Sequence, residues 1–269
     1  MKSSLKSAIV AAALAALALA STPTDASVND IQRKLILGGS VVSAKAKTYT
    51  VGLRSSADGE TFCGGSLVSP IHVLTSSQCA AKNIRWASIG SLHVSGSKDG
   101  EQIKVAAVMN HPNFSSNIDF SSDFTLLELD TPSSYKPVKL AGADDSDFKA
   151  GAAATAIGWG LTGENGAMSN ELLSVDLTVL SDKECEQLVT IDSSMLCVKG
   201  VISKGACAGD TGGPLVVEST SNGRDILVGV VSWNKDKGCG QGPFYPGMYS
   251  RVSRARSWID PIIGSSCFD

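Results

Sequence analysis

Few side chains in this sequence are equipped for chemistry near neutral pH. Three histidines, His72, His93 and His111, are its only imidazoles, the side chain that most often serves as a base. Seven cysteines are present, none in a Cys-x-x-Cys pair. With so few histidines beside them, they point to disulfides, not to a zinc centre, and no metal or other cofactor is expected. The odd count leaves one thiol over, and Cys267 near the C-terminus is its natural place. The stretch CAGDTGGPL, Cys207–Leu215, sets the carboxylate of Asp210 beside the hydroxyl of Thr211 among glycines. A hydroxyl becomes a nucleophile only when a neighbouring base takes its proton and a third group orients that base. Asn113-Phe114-Ser115 is an N-glycosylation sequon, with Asn113 as acceptor.

The segments that would position these residues are short. MKSSLKSAIVAAALAALALA opens the chain with Lys2 and Lys6, an apolar run and an Ala-Leu-Ala end. This is the pattern of a secretory signal peptide over 1–20, too short to span a bilayer. The chain has 23 basic and 26 acidic residues, and losing two lysines with the leader makes it more acidic. Neither a nucleic-acid nor an anionic-membrane partner is expected from that balance. Residues 21–35 read as a polar, pro-like extension. Beyond them come runs such as SLVSPIHVLTSS, IKVAAVM, FTLLELD, ELLSVDLTVLS and ILVGVVSW, broken by Gly, Ser, Asn and Pro. Their length and β-branched content predict an all-β barrel or sandwich. Only Ser253–Ile263 suggests a helix, limited by Pro261.

Several blocks, taken in order, resemble the chymotrypsin-like serine proteases. ILGGS at Ile36 resembles the mature N-terminus, FCGGSLVSPIHVLTSSQC the block that ends in the catalytic histidine, and HPNF followed by SDFTLLEL the block of the aspartate. IGWG, CAGDTGGPL, VSWN and PGMYSRV complete the series. The resemblance implies two six-stranded antiparallel β-barrels, about 36–135 and 150–252, with a short C-terminal helix at about 253–263. All would lie in one domain over 36–269. It also implies the pairs Cys63–Cys79, Cys185–Cys197 and Cys207–Cys239, each worth about 3 kcal/mol in the chain-entropy model.

The same resemblance shows a degenerate triad. Asp123 matches the orienting aspartate, but the base position before Cys79 is Gln78 and the nucleophile position is Thr211. An amide cannot act as a titrating base. His72 lies six residues away along a strand-like run, roughly 20 Å at about 3.3 Å per residue. His93 falls in a Gly/Ser-rich turn region, and His111 in a block where the family keeps a surface residue. An internal threonine lacks the N-terminal amine that serves such nucleophiles elsewhere. Gly209 and Thr211 match the oxyanion-hole backbone. Gly205, Ser232, Trp233 and Asn234 match the specificity pocket, with no carboxylate at its base and Asn234 where a glycine is usual. A cut after Lys34 would leave Leu35 ahead of Ile36, one residue too long for the family's activating insertion beside Asp210.

In LILGG, SSQC and GDTGGPL the chain is most similar to the glucanase inhibitor proteins of oomycete plant pathogens. That likeness implies a secreted, inactive homologue that binds and inhibits a host endo-β-1,3-glucanase and so suppresses defence. Trp233, Phe244 and Tyr245 could anchor the interface, or could equally pack the cleft wall and close a loop. Two alternatives stand beside this reading: a binding or adhesion module with another extracellular partner, and an active endopeptidase with a rearranged base.

Overall fold

A computed structural model describes residues 38–115, 120–163, 166–202, 204–219, 223–234, 239 and 245–264. The leader, the extension, the 34–36 junction, Phe244 and Cys267 lie outside these residues. Strand β1 is Ser40–Val41. It is followed by β2 (Thr50–Arg54), β3 (Cys63–Ser69), β4 (His72–Thr75), the one-turn helix α1 (Ser77–Ala80), β5 (Trp86–Ile89), β6 (Glu101–Asn110) and β7 (Thr125–Leu129). Strands β2-β3-β4-β7-β6-β5 close into a barrel. Its interior is filled by Val51, Leu53, Leu67, Leu74, Ile89 and Leu126, all completely buried. Closure removes the exposed edges that short strands rich in valine and leucine would otherwise present.

The second half contains β8 (Lys139–Leu140), β9 (Ala153–Gly158), β10 (Leu173–Thr178), helix α2 (Asp182–Glu186), β11 (Met195–Val198), β12 (Pro214–Glu218), β13 (Asp225–Asn234) and β14 (Gly247–Arg251). In β10 the apolar Leu173, Val175 and Leu177 are buried while Asp176 and Thr178 face water, the period of two that fixes a strand's register. Helix α2 starts in a capping box: Ser181 accepts from the backbone of Glu184, whose carboxylate receives the Ser181 N–H.

Here the architecture departs from the six-stranded closed barrel expected of this half. Strands run β1-β10-β9-β12-β13-β14-β11 in an open path, and β8 joins β13 in parallel. The path curls until β11 meets the residue just after β10 at one bridge, Val179 to Val198, flanked by Leu180 N–H to Cys197 O at 3.0 Å and Lys199 N–H to Thr178 O at 2.7 Å. The contact comes where β10 has already ended, so a single bridge replaces a ladder. The chymotrypsin-like arrangement is otherwise preserved.

Helix α3, the short C-terminal helix expected, spans Val252–Gly264 and continues through Pro261. Val252, Ala255 and Ile259 are buried, and Ile262 and Ile263 pack on the same core. That apolar anchorage holds the last turn despite the missing N–H. No helix among the described residues is long and apolar enough to cross a membrane. Three disulfides staple the halves internally: Cys63–Cys79, Cys185–Cys197 and Cys207–Cys239.

Candidate functional site

Helix α1 begins where β4 ends, and its second residue is Gln78. The preceding Ser77 is pinned by its hydroxyl, which donates to Phe124 O at 2.6 Å. This ties the turn to the segment that carries Asp123. The Gln78 backbone N–H donates to Asp123 Oδ1 at 3.1 Å, and its side-chain Nε2 donates to Asp123 Oδ2 at 2.7 Å. Nε2 also lies 3.0 Å from Ser232 O. A carboxylate and a carbonyl can only accept here, so the amide must turn its NH₂ toward both and its oxygen away.

Asp123 is completely buried. Its third donor is the Ser232 hydroxyl, at 2.7 Å from Oδ2. Burial pushes its carboxyl above the usual range, against the opposing pull of bonds from Gln78 and Ser232. Among the described residues no cation bonds to it. The site thus stabilises a buried acid by dipoles alone.

Thr211 sits across the cleft in the loop before β12. Its carbonyl accepts from Gly64 N at 2.8 Å, which joins the two halves through backbone. Among the described residues its hydroxyl makes no hydrogen bond, and neither its N–H nor that of Gly209 is taken by a backbone acceptor. Gly209 has φ +98, and a Cβ there would run into the sulfur of Met168. Only glycine fits that combination of conformation and contact. Asp210 is buried beneath the loop, accepting from Gly160 N at 2.7 Å and Cys207 N at 2.8 Å. Any Cβ at Gly160 would strike its carboxylate. Burial raises the Asp210 carboxyl to about 6, opposed by those two backbone bonds.

None of the three histidines lines the cleft. His72, buried, meets Ser69 Oγ through Nδ1 at 2.8 Å, and burial lowers its basicity. His111 stacks edge-on against Trp258 of α3 with centroids 4.9 Å apart, and burial lowers it too. His93 pairs by a backbone bridge with Glu171. Asn113 is exposed on the same loop as His111.

Gln78, Thr211, Ser232, Trp233 and Asn234 together line a cleft of about 540 Å³. Trp233 also packs with the cluster around Met195, Cys197 and Met248, so part of its ring serves as wall. Asn234 reaches across the floor, and its Nδ2 donates to Ala206 O at 3.0 Å. Below that bridge, between Gly205 and Tyr245, the remaining void is about 20 Å³, roughly the room of one water. Among the described residues no cluster of potential metal ligands accompanies the cleft. Two relationships here were invisible in the sequence: the Ser232 hydroxyl on Asp123 and the Asn234 bridge. Both join residues distant in the chain, and no local pattern encodes them.

A family model for trypsin matches residues 36–259. The chain belongs to the trypsin family. Among relatives, it is 47% identical to glucanase inhibitor protein 3 of Phytophthora infestans over 94% of this chain and 98% of the other. It is 45% identical to glucanase inhibitor protein 2 of Phytophthora sojae, over 94% and 88%. Trypsin zeta of Drosophila erecta is 32% identical over 84% and 85%. Within the trypsin family, then, the chain shares more residues with proteins named as inhibitors than with one named as a protease.

Proposed function

We propose that this protein is a secreted, catalytically inactive member of the trypsin family that binds and inhibits a host endo-β-1,3-glucanase. The observation that carries the inactive half is the Gln78 amide, locked by its NH₂ on Asp123 and Ser232 O. An amide held this way offers no site for a proton near neutral pH, so the Thr211 hydroxyl has no base. Thr211 and Gly209 keep the place of an oxyanion hole, but without a nucleophile they form an anion-accepting niche only. Gly205, Ser232, Trp233 and Asn234 stand where a specificity pocket would be. The Asn234 bridge supports a reading in which no substrate side chain enters it.

The inhibitory half is supported by the names of the relatives that align along nearly the whole chain. The interface is assigned to the cleft rim, with Trp233, Phe244 and Tyr245 as anchors, at an ordinary size of about 1,600 Å². Residues 1–20 act as the secretion signal, 21–35 as an extension, and 36–269 as the functional domain, glycosylated at Asn113. Three disulfides suit an extracellular setting.

The test is titration of the purified mature protein into an endo-β-1,3-glucanase assay, with an unrelated glycosidase as control. Selective, saturable inhibition is expected, weakened by Phe244→Ala with Tyr245→Ala. Hydrolysis of a peptide library, abolished by Thr211→Ala, would overturn the inactive half. Equal effects on both glycosidases would overturn the other.

A further inference from the structure

Arg54 is completely buried, a place where a guanidinium is almost never found without a charged partner. It lies in β2, where the period of two sets it beside Gly52 on the face turned away from Val51 and Leu53. Across the ladder with β5, Gly52 pairs with Ser88. Two further segments, 55–61 and 93–97, are tied to the same side chain. Its Nη1 donates to Ala57 O at 2.5 Å, to Ser95 O at 2.9 Å and to Gly59 O at 3.4 Å.

That work occupies one nitrogen of the guanidinium. The other two, Nε and Nη2, are buried without a protein partner, and so are the hydroxyl oxygens of Thr61, Ser88 and Ser95. These five are half of the ten such side-chain atoms among the described residues, so they form a concentration and not a background. Glycines let them approach one another. A Cβ at Gly96, where φ is +58, would lie 2.1 Å from Ser88 Oγ and 3.2 Å from Arg54 Cζ, and one at Gly52 would lie 2.4 Å from Thr61 Oγ1. Among the described residues no carboxylate comes within ion-pair reach of Arg54. Burial lowers the guanidinium below its usual pKa, and Asp58 opposes this only through space.

We propose that Arg54 Nε and Nη2, with the hydroxyls of Thr61, Ser88 and Ser95, bind a halide ion that completes the anchorage of segments 55–61 and 93–97 on β2. The two nitrogens can only donate, and each hydroxyl can turn its proton inward. Five donors gathered around one uncompensated charge suit an anion. Water would satisfy the hydroxyls but leave the buried charge without a counter-ion, which is costly. A monatomic ion suits the tight approach at Gly96 and Gly52 better than a branched oxyanion does. Residues 55–58 are exposed, so opening of that turn gives the ion a way in. The proposal is independent of glucanase inhibition.

The experiment is thermal unfolding of the full mature protein as sodium chloride or bromide replaces sodium gluconate at constant ionic strength. A saturable rise in midpoint is expected with either halide, because a ligand that binds only the folded chain stabilises it. Chloride NMR of the folded protein should show excess line broadening that bromide displaces. Ser88→Ala removes one donor and keeps the charge, so the halide concentration giving half the rise should increase about tenfold. Arg54→Gln should abolish both the rise and the broadening; should that variant fail to fold, Ser88→Ala still decides the matter. A midpoint indifferent to the anion would mean that water alone fills the site, and would overturn the proposal. So would a linear, unsaturated response shared by Ser88→Ala, which is general salt action, or the absence of displaceable broadening.

Discussion

Gln78 Nε2 lies 2.7 Å from Asp123 Oδ2 and 3.0 Å from Ser232 O. A neutral donor therefore occupies the position between a buried acid and the cleft, and the pair acts as a brace between α1, the loop before β7 and the end of β13. The arrangement sets a non-titrating amide against a buried acid. Its consequences for stability and for chemistry can be separated.

For stability, Gln78→Glu would place a second carboxylate against Asp123, whose own carboxyl burial already raises. Two acids sharing this space cannot both ionise, so the folded pair holds a proton that the unfolded chain releases. Stability is then lost as pH rises through the raised value. Denaturant unfolding should show the variant weaker than the parent by about 2–4 kcal/mol at pH 7.5 and by clearly less near pH 5. A constant difference between the two pH values would disprove the coupling.

For chemistry, the members of a triad act as a unit, and losing one costs about as much as losing several. Gln78→His alone and Thr211→Ser alone should therefore leave hydrolysis of an activated ester at background. The double reversal should raise it at least about tenfold, and adding Thr211→Ala in place of Thr211→Ser should abolish the gain. Measurable turnover by the Gln78→His single variant would mean that Thr211 is a competent nucleophile after all.

Asp210 gives a pH dependence of its own. Its carboxyl shifts from 3.8 to about 6 through burial. Between those values the folded chain binds more protons than the unfolded chain, so stability falls as pH rises. One unit is worth about 1.4 kcal/mol, which puts the loss from this group at about 3 kcal/mol between pH 3.5 and 7. Unfolding across that range should give Asp210→Asn a smaller decline than the parent by a comparable amount. Parallel profiles would show that the acid is paired with a cation in solution.

How much of this was readable from residues alone divides along chain distance. The β character of ELLSVDLTVLS follows from alternation within one strand, and β10 has that pattern. The motif blocks placed Gln78, Asp123 and Thr211 together because each carries its own local signature. Bonds whose partners share no signature stayed hidden: Ser232 to Asp123, Asn234 to Ala206, and Lys47 with Tyr49 on Asp225. The open second sheet was equally hidden, since strand lengths do not reveal whether β10 and β11 meet in a ladder or at the single Val179–Val198 bridge. The C-terminal helix was legible, but what carries it past Pro261 was not: local propensity counts the lost N–H and not the isoleucines that pack on the core.

Asn234 is the last test, because it separates a closed floor from a merely shallow one. Its side chain donates to Ala206 O at 3.0 Å and leaves a void of about 20 Å³ beneath. Replacing it with glycine removes one partly buried hydrogen bond and adds backbone freedom to the unfolded chain. Each of these costs about 0.5–1.5 kcal/mol, so the variant should unfold about 1–3 kcal/mol more easily. In exchange the upper cleft and lower void would merge into one channel lined by Gly205, Trp233 and Tyr245. With no carboxylate at its base, that channel should take a neutral aromatic such as indole in preference to a cationic one. Chemical-shift perturbation by indole, confined to those residues and present only in Asn234→Gly, is the expected result. Indole binding to the parent protein at the same residues would show that Asn234 does not close the floor.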